Sequence, residues 1–528
     1  MQFVNGTSST RRLLTVAAAS LAGSLAACIP SGATAQSPPS TLVRDALIID
    51  GTGSAPRRGA VRVSGDRIVA VGDLTPVRGE RVIDAHGLAL SPGFIDTHSH
   101  HDRGLSSHRD ALAMVSQGVT TIVAGQDGGG SNLAALFARL DRQPVAVNVA
   151  SYAGHGSIRD RVMGTDFKRQ ATPDEIERMK QLLKTEMDAG ALGLSTGLEY
   201  DPGIYSSPDE VFALAKVAGD AGGRYISHMR SEDRWFWAAL DELIHIGREN
   251  RMPVQVSHMK LGMRSLWGQT DSLIRVLDRA RASGVQVTAD IYPYTYWASN
   301  LGVLFPKRNF ADSAEINFVL RDVAIAEEII FNDFPAHPDY RGKTLAQVAV
   351  MRGTSDARAM LDRLAEPGGP DAGVVAKGMD DPDVGHLLQW PFANICSDGE
   401  SNGLHPRGFG SFTKVLGPYV REQKLFPLEE AVRKMSTLAA ANVGIVNRGL
   451  ITPGYFADLV LFDPAVVADR AAFGSPQAQA VGIHTVWVNG RVVFDGGRTT
   501  GTYPGRALKR AITTTRNGVE SPPSGRRR

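Results

Sequence analysis

Apolar and polar positions fall into two textures along this chain. From Thr41 to Leu90 short apolar runs alternate with polar residues. Ala46–Asp50, Gly59–Ser64, Arg67–Val71 and Arg81–Asp84 are separated by Gly- and Pro-containing turns, which is the period-two signature of strands. The texture returns late, in Ala457–Phe462, His484–Val488 and Arg491–Phe494, and Asn489-Gly490 is a strong hairpin signal. Two strand-rich segments flanking a long middle predict one β-domain, residues 41–90 plus 450–510, made from both chain ends.

The middle, residues 91–449, alternates differently. Strand-like runs (Gly118–Ala124, Val145–Val149, Ala191–Ser195, Arg224–His228, Val254–His258, Val285–Asp290, Phe392–Asp398) alternate with helix-like blocks such as Pro173–Ala189 and Asp233–Asn250. A repeated β-then-α rhythm predicts an α/β protein with a parallel (β/α)8 barrel. The stretch from about 301 to 383 breaks the rhythm and reads as an insertion.

Composition agrees with a large globular body: 528 residues, 43% hydrophobic and 21% charged, which excludes a mainly disordered chain or a polytopic membrane protein. The formal charge is only +2, and Arg11, Arg12, Arg526, Arg527 and Arg528 carry more than that excess. The body is therefore slightly acidic and lacks the basic footprint of a nucleic-acid binder.

The first residues read as an address. Arg11 and Arg12 precede an Ala-rich apolar run, Leu13–Ala27, in the order of an export leader spanning residues 1–35. The paired arginines suit a twin-arginine route. Two processing sites compete: Leu25-Ala26-Ala27-Cys28 has the form of a lipobox, with Cys28 acylated, and Ala33-Thr34-Ala35 has the form of an ordinary cleavage site. The expected place is the bacterial envelope, periplasmic or lipid-anchored. Cys28 and Cys396 are the two cysteines, so no internal disulfide is expected in a processed chain. Residues 513–528 read as a disordered tail.

Polar residues with metal-binding chemistry stand where strands end. His98 and His100 follow an apolar run with one residue between them, and strand alternation puts both imidazoles on one side. His228, His258 and Asp398 end three later runs. In a barrel those ends converge on one mouth, so the five residues predict a single divalent-metal cluster.

These residues also carry a resemblance. Pro92–Asp102 (PGFIDTHSHHD), Gly118–Thr121, Gly154–Arg159, Gly193–Tyr200, Ser227–Met229, Ser257–Lys260, Ser397–Gly399, His405–Phe412 and Arg448–Asp458 resemble, in order, the D-aminoacylase (N-acyl-D-amino-acid deacylase) family of the amidohydrolase superfamily. The resemblance runs from about residue 41 to 510. It implies a TIM barrel, a small β-sandwich for the β-domain, and one or two divalent metals, zinc or another ion. It assigns His98 and His100 to a first metal, His228 and His258 to a second, and Asp398 to proton transfer with contact to the first metal. The implied reaction is hydrolysis of N-acyl-D-amino acids, the D preference coming from the family alone. Dipeptides, cyclic amides or other N-acyl amines are alternative substrates, and a metal-free binding lipoprotein is the remote alternative.

One departure matters. Where the family reads G-N-C-G, with the cysteine a metal ligand, this chain reads Gly125-Gln126-Asp127-Gly128. No lysine lies between Gly190 and Tyr200 to bridge two metals, whereas Glu199 does lie there. Glu199 is therefore expected as the bridge, with Asp127 a ligand or a partner of one. A substrate carboxylate calls for Arg407 or Lys260, with Tyr200 and Tyr292 adding hydroxyls and His155 a further candidate to line the site.

Overall fold

The computed structural model describes residues 40–130 and 132–511. The leader with Cys28 and the tail from 513 lie outside them. In chain order the strands are β1 (Ser40–Ile48), β2 (Arg57–Ser64), β3 (Arg67–Gly72), β4 (Arg81–Asp84), β5 (Ala89–Pro92), β6 (Phe94–Asp96), β7 (Val119–Ala124), β8 (Asn148–Ser151), β9 (Ala153–Gly154), β10 (Gly193–Gly197), β11 (Arg224–His228), β12 (Val254–Val256), β13 (Val287–Ile291), β14 (Tyr296–Asn300), β15 (Ile329–Asp333), β16 (Gly373–Lys377), β17 (Ala393–Ile395), β18 (Leu459–Phe462), β19 (Ile483–Val488), β20 (Arg491–Asp495) and β21 (Arg498–Thr499).

One sheet draws on both chain ends, in the order β21-β20-β19-β18-β5-β1-β2-β3, with β4 added alongside β1. Its seam is the antiparallel β5–β18 pair, Leu459 opposite Pro92 and Phe462 opposite Ala89. Alternate residues of these strands (Val61, Val63, Ile68, Leu90, Leu459, Leu461, Trp487) pack into a cluster of their own. The hairpin expected at Asn489-Gly490 joins β19 to β20. Both of its residues have positive φ, 48° and 75°, as a tight turn that follows strand twist requires.

The middle strands are parallel and arranged β17-β13-β12-β11-β10-β9 and β6-β7-β8. Tyr152 alone separates β8 from β9, and its N–H donates to the Ala124 carbonyl at 3.0 Å. At the other junction Ser99 bridges Gly399 in parallel, and the Asp398 N–H donates to the His98 carbonyl at 2.8 Å. The chain thus has the mixed α/β fold that the alternating pattern predicts. Helices follow the strands, and that at Pro173–Ala189 is delimited by local chemistry. Thr172 and Glu175 form a reciprocal capping box, proline opens the first turn, and Gly190 ends it at φ 117°.

Two boundaries differ from expectation. The run beginning at Val145 enters the strand ladder only at Asn148, and before that its backbone is bonded elsewhere: the Gly505 N–H donates to the Val145 carbonyl and the Ala146 N–H to the Arg109 carbonyl. The insertion begins earlier than 301. Its antiparallel sheet, β14-β16-β15, starts at Tyr296. Ion pairs tie the insertion to the strand-end loops: Arg234 with Glu315, Arg264 with Glu328, and Arg308 with Asp201 at 2.9 Å.

Candidate metal centre

β5 runs almost directly into β6, so the end-sheet feeds the first ligand strand. Gly93 lies between them, where a Cβ would come within 2.2 Å of Thr120 Oγ1. Asp96 closes β6, and His98 and His100 follow it at alternate positions. Asp96 is buried and accepts from the Ser397 N–H at 2.8 Å and the Ser397 hydroxyl at 2.5 Å. Burial, partly offset by those bonds, raises its carboxyl from 3.8 to about 6. The ligand strand is thereby fastened to the segment that carries Asp398.

After β7 the chain turns through Gly125, Gln126, Asp127 and Gly128, with φ of 72°, 53° and 74° at Gly125, Asp127 and Gly128. A Cβ on Gly125 would lie 2.3 Å from the Tyr152 carbonyl oxygen, so only glycine lets the turn pass. Gln126 Nε2 donates to the Thr97 carbonyl at 2.8 Å, which anchors the turn and aims Asp127 into the mouth. His258 (φ 34°) and Asp398 (φ 48°) also occupy the left-handed region, disfavoured for side chains with a Cβ and a recurrent strain at functional sites. The His258 N–H donates to Asp290 Oδ1 at 2.5 Å.

The donors converge in two groups that share one carboxylate. His98 Nε2 lies 3.3 Å from Asp127 Oδ1 and 3.5 Å from Asp398 Oδ1. His100 Nε2 lies 3.1 Å from Asp127 Oδ2 and 3.2 Å from Asp398 Oδ1. Asp127 Oδ1 is also 3.4 Å from His258 Nε2, which faces His228 Nδ1 at 3.1 Å. His98, His100, Asp127 and Asp398 form one metal-competent group, Asp127, His228 and His258 form another, and Glu199, His228 and Glu232 form a third on the outer side of His228. His98 Nε2 and Asp127 Oδ1 are buried without a hydrogen-bond partner, a cost that a cation between them removes. The all-nitrogen-and-oxygen set fits zinc or a neighbouring divalent ion.

The electrostatics suit ligands. Burial alone would raise the Asp398 carboxyl, but the Arg407 guanidinium, with His258 and His98, holds it below the usual carboxylate range. Burial would likewise raise Asp127, and the surrounding imidazoles hold it well below that range. Both carboxylates are ionised at neutral pH.

The remaining expected residues distribute unevenly. Glu199 does not stand between the two groups; the shared position belongs to Asp127. Glu199 lies past the end of β10, on the outer side of His228, its Oε2 2.9 Å from His228 Nε2. Its backbone carbonyl accepts from Arg308 at 2.7 Å. Arg407 is buried, its Nη1 2.6 Å from Asp398 Oδ2, with its guanidinium 4.8 Å from the Tyr292 ring centroid. Lys260 is buried too, but it is not a free cation: its Nζ contacts both Glu232 oxygens at 2.6 and 2.7 Å and His258 Nδ1 at 2.7 Å. The Tyr200 ring lies 4.5 Å from that of His228. Tyr292 is buried, with its hydroxyl unbonded. His155 falls outside the site. It is fully buried, its Nε2 2.8 Å from Glu210 Oε1, in a network with Arg159.

Sequence reasoning missed Glu232, Asp290 and Arg308. Glu232 is four residues past His228, a spacing with no meaning until the loop conformation is known. A cavity of about 940 Å³, lined by His100, Asp127, Tyr200, Arg308, Asp398 and Arg407 among others, opens onto the first group. A second, of about 50 Å³, reaches His228 and His258 beside Trp297 and Leu304.

Comparison with known proteins agrees with this geometry. The amidohydrolase family model matches residues 81–387 and 397–494. A D-aminoacylase of Alcaligenes xylosoxydans xylosoxydans is 37% identical over 89% of this chain and 97% of its own length. An N-acyl-D-aspartate deacylase of the same organism is 38% identical over 88% and 94%. The crystal structure of N-acyl-D-glutamate deacylase from Bordetella bronchiseptica, complexed with zinc and a phosphonate inhibitor, superposes with a TM-score of 0.81 at 35% identity, covering 89% of this chain and all of that one. Barrel-mouth histidines and carboxylates, motif order and near-full-length similarity lead to one conclusion: the chain belongs to the amidohydrolase family, in company with the D-aminoacylases and N-acyl-D-amino-acid deacylases.

Proposed function

We propose that this protein hydrolyses the amide bond of N-acyl-D-amino acids, releasing a carboxylic acid and a D-amino acid. The observation that carries the reading is the convergence of His98, His100, Asp398, His228 and His258 around the shared Asp127. The relatives' activities support the substrate class.

His98, His100, Asp127 and Asp398 would hold one divalent ion, and Asp127, His228 and His258 another, with zinc the first candidate. When bound, such an ion supplies Lewis acidity toward the amide carbonyl and lowers the pKa of water. Asp398 accepts the proton of the attacking water and returns it to the departing nitrogen, the work of a positioned carboxylate. Arg407 beside Tyr292 holds the substrate carboxylate, since a guanidinium fork matches it in shape and charge. Asp398 and Arg407 are in contact, so substrate anchoring and proton transfer are coupled. Tyr200 borders both cavities and orients the acyl or amino portion. The finer architecture we infer is a closed eight-stranded barrel with a β-sandwich domain from both chain ends. We also infer export to the envelope through the leader, processed either at Cys28, which would then carry the lipid, or after Ala35.

The test is metal content of the purified protein together with amine release from N-acetyl-D- and N-acetyl-L-amino acids. Bound metal with D-selective turnover is expected. Metal without turnover on either panel would move the substrate to cyclic amides or peptides, and absence of both would leave a binding protein.

A further inference from the structure

We infer that Glu199 and Glu232 form one positioning unit behind His228 and His258, in which Glu199 fixes the ring nitrogen that His228 presents to the metal and Glu232, with Lys260, fixes the orientation of the His258 ring. The inference rests on the metal-centre reading above and deepens it.

A histidine binds metal through one ring nitrogen, and the partner of the other nitrogen decides which tautomer and ring orientation prevail. His228 Nδ1 and His258 Nε2 face inward, 3.1 Å apart. Behind them, His228 Nε2 lies 2.9 Å from Glu199 Oε2, whereas His258 Nδ1 lies 3.0 Å from Glu232 Oε1 and 2.7 Å from Lys260 Nζ. With the outer nitrogen of His228 donating to Glu199, its inner lone pair points at the metal position, while Glu232 and the Lys260 it holds fix the His258 ring from behind. The two carboxylates are themselves joined, because the Glu232 N–H donates to Glu199 Oε1 at 2.8 Å. Lys260 contacts both Glu232 oxygens and balances one of the two negative charges brought together there. Histidines on adjacent strands are therefore braced from behind by one connected assembly. Among the described residues His98 has no such brace: the nearest carboxylate to its Nδ1 is Asp290 Oδ1 at 3.7 Å, beyond hydrogen-bond reach.

This assigns Glu199 a place outside the ligand sphere, where it shapes His228 rather than bridging two ions. The unit predicts that neutralising either glutamate weakens one metal position and spares the other.

The experiment is zinc titration of wild type, Glu199→Gln, Glu199→Asp and Glu232→Gln against a calibrated chelator. Each protein's metal-free melting temperature and cobalt-substituted absorption spectrum are recorded alongside. The expected result is one zinc dissociation constant raised roughly ten- to a hundredfold in both Gln variants, recovered largely in Glu199→Asp. The metal-free melting temperatures should be nearly unchanged. Unaltered zinc affinity in both Gln variants overturns the inference while leaving the metal centre intact. Complete loss of one ion in Glu199→Gln, not restored at high zinc, makes Glu199 a ligand and also overturns it. A melting temperature that collapses in proportion to affinity reduces the unit to a structural support. A wild-type protein that binds no zinc defeats the underlying reading instead.

Discussion

Replacing Asp398 with Asn removes proton transfer while keeping the shape of the side chain. The amide keeps the size and most of the hydrogen-bonding of the carboxylate, but it cannot take a proton from water at neutral pH. General acid–base catalysis by one positioned group contributes ~10²- to 10⁴-fold, so kcat should fall roughly a thousandfold, about 4 kcal/mol of barrier. A second effect follows from Arg407. At 2.6 Å and an effective dielectric of ~20 the pair attracts by about 6 kcal/mol before desolvation. Neutralising one partner of a buried pair leaves a net loss on the order of 3 kcal/mol. The variant should therefore melt several degrees lower while remaining folded at assay temperature. The assay is steady-state amine release from the best N-acetyl-D-amino acid, with metal content and melting temperature measured on the same preparation. A kcat within tenfold of wild type would falsify the proton-transfer role. Activity restored by added metal would refute it differently, by showing that holding the metal is the only duty of Asp398.

Three further outcomes are expected. Arg407→Ala should raise KM by roughly ten- to a hundredfold for substrates with a free carboxylate, and much less for their carboxamides. It should lower kcat for both because Asp398 loses its counter-ion; equal KM effects on the two would remove Arg407 from the anchoring role. His155→Leu should destabilise the fold by about 2–3 kcal/mol, by breaking the buried network with Glu210, without changing KM. A KM change at unchanged melting temperature would return His155 to the substrate site. Glu175 is held from 4.5 down to about 2 by hydrogen bonds from Arg169 and then from the Thr172 backbone. Its folded pKa lies below its unfolded one, so its stabilisation is complete above the unfolded value and fades as pH falls toward the folded one. The difference in melting temperature between wild type and Glu175→Gln should narrow on acidification, and a gap independent of pH would contradict this.

Much of this molecule is legible in one sequence because its strands carry period-two and fully apolar runs, and because H-x-H at a strand end leaves little geometric freedom. Arg224–His228 and Pro173–Ala189 fall where the pattern predicts them. What escaped the sequence depends on partners far along the chain. The backbone just before β8 is bonded to Gly505 and Arg109 rather than to a neighbouring strand. The charge of Lys260 is cancelled by Glu232, 28 residues earlier. His155 looks like a site histidine until Glu210, 55 residues later, buries with it. Glu199 has the right charge at the right strand, but whether a four-atom side chain reaches the middle of the mouth or its wall depends on the backbone beyond β10. Asp127 is short and hangs from a glycine-rich turn, and it reaches the middle.

The left-handed backbone at Asp127, His258 and Asp398 has an evolutionary consequence. Each of these side chains is useful as a donor and unfavourable as a conformation, by about 1 kcal/mol or more. Glycine or asparagine would relax the backbone there while discarding or weakening a donor. Selection for heat resistance alone would therefore drift toward inert variants at these three positions. Selection for turnover keeps them, and a hardened form of the enzyme has to gain its stability elsewhere in the chain.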